Sequence, residues 1–258
     1  MKLTTFALDE VSPSSDYQAP RRATGVLESR KLSPDDGPIW ICVSSFAAGG
    51  TISWDERHGD DGLYVLDGEL DVEGVRCGTG GAIIVESGVA TTVHVARPTR
   101  VVHVGAASPD LPNGGVLGAP ARDAHGVHVV GPRGRSVSGD ESGVHATWFA
   151  DGTCPTCRIQ LFTVHAAAGV SGGGGHSHSE DEVIYLIEGS IRLGAHHHGA
   201  GSALCIPANV RYAVTNGPDG HVFLNYRAGV SEQTYKRGDP PVLETALARG
   251  GRVVDDVG

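Results

Sequence analysis

Gly172-Gly-Gly-Gly-His176-Ser-His178-Ser-Glu-Asp-Glu182 runs without a break into Val183-Ile-Tyr-Leu-Ile-Glu-Gly189. His176 and His178 are two residues apart, so on an extended strand both imidazoles leave the same face. Glu182 lies a further even step along and returns to that face if the strand geometry holds. Two imidazoles and one carboxylate converging from one face suit a divalent transition metal with open coordination positions. The apolar run Val183–Ile187 predicts a buried strand, and Gly189-Ser190 predicts a turn. The glycines before His176 let the backbone bend close to a metal or ligand.

A second cluster follows at Gly201, Pro207, Asn209, Tyr212 and Asn216. Together the two stretches resemble the paired motifs of the cupin superfamily, written G-x5-H-x-H-x3,4-E-x6-G and G-x5-P-x-G-x2-H-x3-N. His176, His178, Glu182 and Gly189 match the first in residue and spacing; its leading glycine is displaced, with Val170 at the usual place and Gly169 one residue earlier. Gly201, Pro207 and Asn216 match the second. Asn209 stands where glycine is usual, and Tyr212 where the fourth metal ligand, a histidine, is usual. Tyr212 is a poor ligand unless a metal lowers its pKa, and its expected role is to position or protonate a substrate.

Outward from there, the chain repeats itself. Leu63-Tyr-Val-Leu-Asp-Gly68 aligns with Ile184-Tyr-Leu-Ile-Glu-Gly189, and without a gap Gly80 falls on Gly201, Ala82 on Ala203 and Val85 on Ile206. A fixed offset marks a duplicated unit. The resemblance therefore extends to a two-domain cupin, an all-β chain of two tandem jelly-roll barrels. The expected divisions are an N-terminal arm (1–37), a degenerate first cupin domain (38–110), a linker (111–125), a metal-binding second domain (126–230) and a tail (231–258). In the first copy Asp55, Arg57 and Asp61 stand opposite the ligands, and Glu86 and Thr91 opposite Pro207 and Tyr212. Arg57 cannot ligate a metal. A one-residue shift would bring in His58 beside Asp61, but a metal-free first copy, serving packing, dimerisation or a second pocket, is the expectation.

Composition agrees with this organisation. Among 258 residues there are 38 glycines and 14 prolines but few aromatics, which favours short strands joined by tight turns. A formal charge of −10 argues against a nucleic-acid or anionic-membrane partner. The N-terminus lacks the apolar core of a signal peptide and no run is long enough to span a membrane, so a cytoplasmic location is expected. Five cysteines, an odd number, do not read as a disulfide framework. Cys154-Pro-Thr-Cys157 lacks the helix of a redox site and the second pair of a zinc knuckle, and reads as structural or incidental. His196-His-His198 reads as a solvated turn, His165 as a residue facing the barrel interior, Pro132–Gly143 as a surface loop, and Val242–Leu247 as a short helix.

The resemblance implies a menu of activities, from dioxygenases, isomerases and lyases to ligand-binding regulators. The favoured reading is a metal-dependent dioxygenase acting on a small oxygenated molecule, with Fe(II), or else Mn, Ni or Zn, held by His176, His178 and Glu182. The same site without oxygen chemistry would serve an isomerase or lyase; a different class is a non-catalytic binder. A homodimer is implied by the resemblance alone.

Overall fold

A computed structural model describes residues 2–106, 126–139, 143–170 and 174–253. The linker expected at 111–125 lies outside the described residues. The first sheet is built from β2 (Arg22–Lys31), β3 (Ile39–Trp54), β4 (Asp61–Val72), β5 (Val75–Gly78), β6 (Ala82–Val85), β7 (Thr91–Ala106) and β8 (Val127–Val130), with the order β2-β3-β7-β4-β6-β8 and β5 on β4. The second is built from β1 (Thr4–Ala7), β9 (Ser136–Gly139), β10 (Val144–Asp151), β11 (Gln160–Ala166), β13 (Glu182–Leu193), β14 (His196–Gly199), β15 (Ser202–Ile206), β16 (Val214–Arg227) and β19 (Arg252–Val253). Its order is β1-β15-β13-β16-β11-β10-β9-β19, with β14 on β13. A small third sheet joins β12 (Ser177–His178), β17 (Glu232–Thr234) and β18 (Val242–Leu243). Every ladder is antiparallel among these strands. The fold is all-β, and no helix among the described residues is long and apolar enough to cross a membrane.

The repeat is visible in the strands themselves: β4, β5 and β6 have their counterparts in β13, β14 and β15 at the same offset. The central strands are apolar on both faces because both faces are covered. In β4, Leu63 and Val65 fill the interior of the first barrel while Tyr64 faces the other half; in β13, Ile184 and Leu186 fill the second while Val183 and Tyr185 face back. Ile41, Val43, Ile84, Val102 and Val104 thus share one core with Leu161, Tyr185, Leu224 and Tyr226. That shared apolar seam holds the halves together by burial.

Several local expectations are corrected. Gly189 is not a turn but an interior residue of β13, where the ladder to β16 shifts register between Gly189 and Ile191. Its φ is 69°, and a methyl group there would overlap the Gly220 carbonyl oxygen; Gly68 is its counterpart, at φ 96° against the Pro98 carbonyl. The motif glycine permits a β-bulge pressed onto the neighbouring strand. Asn209 adopts φ 62°, so the asparagine at a glycine position keeps the left-handed backbone that asparagine tolerates. His196–His198 form the return strand β14 rather than a turn, paired with Ile191–Leu193. The loop expected at Pro132–Gly143 contributes β9, paired with β10, and Val242–Leu247 forms β18 and a turn instead of a helix.

The arm is more ordered than its composition suggests. It carries two strands, and they part company: β2 pairs with β3 in the first sheet, whereas β1 pairs with β15 in the second. In the opposite direction β8 extends the first sheet at β6.

Candidate metal and ligand site of the second barrel

A cavity of about 350 Å³ opens in the second barrel, and His176, His178, Glu182 and Tyr212 all line it. His178 ends the two-residue strand β12, and an isolated bridge couples His176 to Tyr212 through two backbone hydrogen bonds of 2.9 Å. The Asn209 N–H donates to the His178 carbonyl at 2.7 Å, tying the second motif onto the first. Glu182 opens β13, fully buried.

The hydrogen bonds fix the protonation of both imidazoles. His176 Nδ1–H donates to the Gly174 carbonyl at 2.9 Å. Burial pushes its pKa down, so the ring is neutral and Nε2 carries the lone pair. His178 Nδ1 lies 3.1 Å from Glu244 Oε2, while Nε2 accepts from Arg227 Nη2 at 3.1 Å, so here too Nε2 carries the lone pair. A carboxylate gripping the far nitrogen is the usual device for orienting a metal-binding histidine. His178 Nε2 stands 3.8 Å from Glu182 Oε2.

Glu182 is held by three donors. Tyr212 Oη donates to Oε2 at 2.5 Å, Asn225 Nδ2 to Oε1 at 2.5 Å and Arg227 Nη2 to Oε1 at 2.6 Å. Burial raises a carboxyl pKa, but the Arg227 charge, His178 and these hydrogen bonds outweigh it and bring Glu182 down to about 2. Arg227 also pairs with Glu244, and Arg249 pairs with Glu244 at 2.5 Å. Tyr212 is the reverse case: burial and the neighbouring Glu182 charge raise its pKa, so the phenol stays protonated. It acts on Glu182 as a donor.

The donor types therefore fit a divalent cation, two neutral imidazole Nε2 atoms and an ionised carboxylate. Their present spacing is looser than a closed site: the ligand atoms of His176, His178 and Glu182 do not all fall within 4.8 Å of one another. Arg227 is the cation that now touches both His178 and Glu182.

Arg227, Glu244, Asn225 and Arg249 were absent from the sequence-based candidates. Arg227 and Asn225 had a signal: His221, Phe223, Asn225 and Arg227 alternate along β16, and all four line the cavity. Glu244 had none, because it sits just after the two-residue strand β18 in the tail. His165 is not with the metal candidates; its ring stacks on His145, centroids 4.6 Å apart. In the first half, Asp61 is the positional counterpart of Glu182, and its carboxylate is taken by Arg21 (2.7 and 2.9 Å), Trp54 Nε1 (2.6 Å) and His103 Nε2 (3.2 Å). Both ring nitrogens of His58 face backbone carbonyls, of Gly59 and Val89.

No family model matches the chain, and no curated protein matches it. Solved structures do. A Glu-to-Ala mutant of Bacillus subtilis oxalate decarboxylase aligns with TM-score 0.65 and 14% identity over 91% of this chain and 80% of that one. The formate complex of Lactobacillus farciminis oxalate decarboxylase aligns with TM-score 0.65 and 12% identity over 90% and 88%. A structure concerned with the Mn(II) centres of the Bacillus enzyme aligns with TM-score 0.63 and 13% identity over 89% and 78%. The chain has the cupin fold. At these identities the likeness speaks to fold alone.

Proposed function

We propose that the second barrel holds a divalent transition metal at His176, His178 and Glu182 and acts on a small oxygenated organic molecule. The observation that carries this reading is the shared tautomer of the two histidines, each gripped at Nδ1 and presenting the Nε2 lone pair. A metal bound there would supply Lewis-acid polarisation of a substrate oxygen and coordination positions for a second reactant. Iron would direct the chemistry towards dioxygen-dependent cleavage, our first reaction to test; manganese or zinc would direct it towards isomerisation, elimination or loss of a carboxyl group.

The chain's own residues have defined parts. Tyr212, a protonated phenol whose O–H now goes to Glu182, would position a substrate oxygen in the cavity by hydrogen bonding. Phe162, Ile184, Val214 and Phe223 form apolar walls that exclude water, while Arg249 and Tyr235 give the rim a polar edge. For His178 and Glu182 to hold a metal, Arg227 would have to give up its contacts to them, keeping Glu244 as its partner and leaving its freed N–H groups for a substrate carboxylate.

Metal content of untagged protein purified without nickel resin, beside a His176→Ala/His178→Ala variant, tests this. About one equivalent lost in the variant, followed by oxygen uptake with the iron-loaded protein, is the expected outcome for a dioxygenase. One observation favours a second reading: Arg227 already satisfies the would-be ligands. If the variant carries as much metal as the parent, or neither takes any up here, the barrel is a metal-free binding module.

A further inference from the structure

Outside that cavity, three metal-ligating side chains, Glu86, Cys154 and Cys157, meet at the seam between the halves with a fourth, His128, against Glu86, and the chemistry above uses none of them. Glu86 follows directly after β6, at the position opposite Pro207 in the repeat, with its carboxylate buried. His128 lies on β8, at the edge of the same sheet. Cys154 and Cys157 come from the other half, in the segment between β10 and β11. One ligand atom each from Glu86, Cys154 and Cys157 lies within 4.8 Å of the other two, the one such trio of His, Cys, Asp or Glu among the described residues.

Individual contacts show how tightly the group is drawn in. Cys154 Sγ is 3.3 Å from Glu86 Oε1, and His128 Nε2 is 2.6 Å from the same oxygen. Thr156 Oγ1 donates to Glu86 Oε1 at 2.8 Å and the Gly126 N–H donates to Oε2 at 3.0 Å, so the carboxylate is aimed by groups that are not themselves ligands. The cysteines are free thiols. Cys157 is buried and Cys154 half-buried.

We propose that Glu86, His128, Cys154 and Cys157 form a tetrahedral zinc site that staples the 152–159 segment of the second half to the first. Two sulfurs, one imidazole and one carboxylate oxygen are a zinc-type set, and soft sulfur disfavours magnesium, calcium and manganese. Ligands around a zinc ion, each 2.0–2.3 Å from the metal, stand about 3.3–3.8 Å apart, the range in which Cys154 and Glu86 already stand. Entry of the ion releases the thiol protons to solvent. The His128 proton moves from Nε2 to Nδ1, and the exposed Arg135 side chain, now 2.9 Å from Nδ1, turns aside. The segment runs without regular structure, yet Thr156, Cys157 and Ile159 are buried and the Arg158 N–H donates to Asp60 Oδ2 at 2.8 Å, so zinc would reinforce a seam that packing and hydrogen bonds already form.

The untagged full chain, reduced, stripped with chelator and titrated with Co(II), provides the test. Wild type and His176→Ala/His178→Ala should both develop the sulfur-to-cobalt charge-transfer absorption, and Cys154→Ser/Cys157→Ser should not. Because the serine variant risks misfolding, Glu86→Gln serves as a milder probe. Zinc should protect the half-buried Cys154 of the wild type from alkylation, with the protecting concentration raised at least about tenfold in Glu86→Gln. Absence of the charge-transfer band from reduced wild type, its persistence in the serine variant, or equal protection in Glu86→Gln overturns the site. The His176→Ala/His178→Ala arm keeps this outcome separate from the fate of the cavity metal.

Discussion

Asp61 and Glu182 occupy the same position of the repeat, begin equivalent strands and are both fully buried, yet they serve opposite ends. Asp61 is sealed: Arg21 from the arm, Trp54 and His103 take its oxygens, and Tyr17 closes the set by hydrogen-bonding His103 Nδ1 at 2.5 Å. Glu182 is held just as firmly, but its neighbours line an open cavity and include two histidines with lone pairs to offer. Both copies thus bury a carboxylate at this place, held by an internal ion pair in one and beside an accessible cavity in the other. Both carboxyls are kept ionised because nearby positive charge and hydrogen bonds overcome the cost of burial.

The sharpest way to break this comparison is to remove each arginine. Arg227→Met leaves Glu182 and Glu244 buried without their shared cation and should cost about 3–5 kcal/mol of unfolding free energy in urea. Added Mn(II) or Zn(II) should recover part of it. Arg21→Met should cost less, since Trp54 and His103 still hold Asp61, and should gain nothing from metal. Equal metal rescue of both variants would erase the distinction. Next come the two bulges: Gly68→Ala and Gly189→Ala should each lose about 2–3 kcal/mol, because each forces a side chain into the left-handed region against a carbonyl. Markedly unequal losses would mean that the copies do not share this geometry.

Smaller effects probe the second site alone. Tyr212→Phe removes a hydrogen bond to a charged carboxylate and should cost about 1.5–2 kcal/mol, with the Glu182 pKa rising in a titration followed by NMR. The pH dependence has a defined sign. The Glu182 pKa in the folded chain is about 2, below its ordinary unfolded value, so its stabilisation is present above that ordinary value and is lost as pH falls towards 2. Glu182→Gln should therefore flatten the acid limb of the stability curve.

The sequence made the architecture readable because the repeat and the spacing of His176, His178 and Glu182 are local, and local patterns survive without knowledge of packing. Gly189 was found but misjudged: a glycine after an apolar run looks like a turn, and only the ladder with β16 reveals a bulge. Arg227 and Asn225 were written in the alternation of β16 but obscured by its apolar content. Glu244 was invisible, since a residue just after a two-residue strand in the tail carries no periodicity. Cys154 and Cys157 read as structural or incidental, and the carboxylate they meet, Glu86, belongs to the other half of the chain. A set assembled across that seam has no sequence spacing to recognise.

The pairing of β1 with β15 has a consequence for how the protein is made. Thr4–Ala7 leaves the ribosome well before Ser202–Ile206, the strand it must join, which emerges roughly ten to forty seconds later at ordinary rates of synthesis. During that interval the leading segment has no ladder, and the first barrel must close without it. A strand made early thus waits for a partner made late.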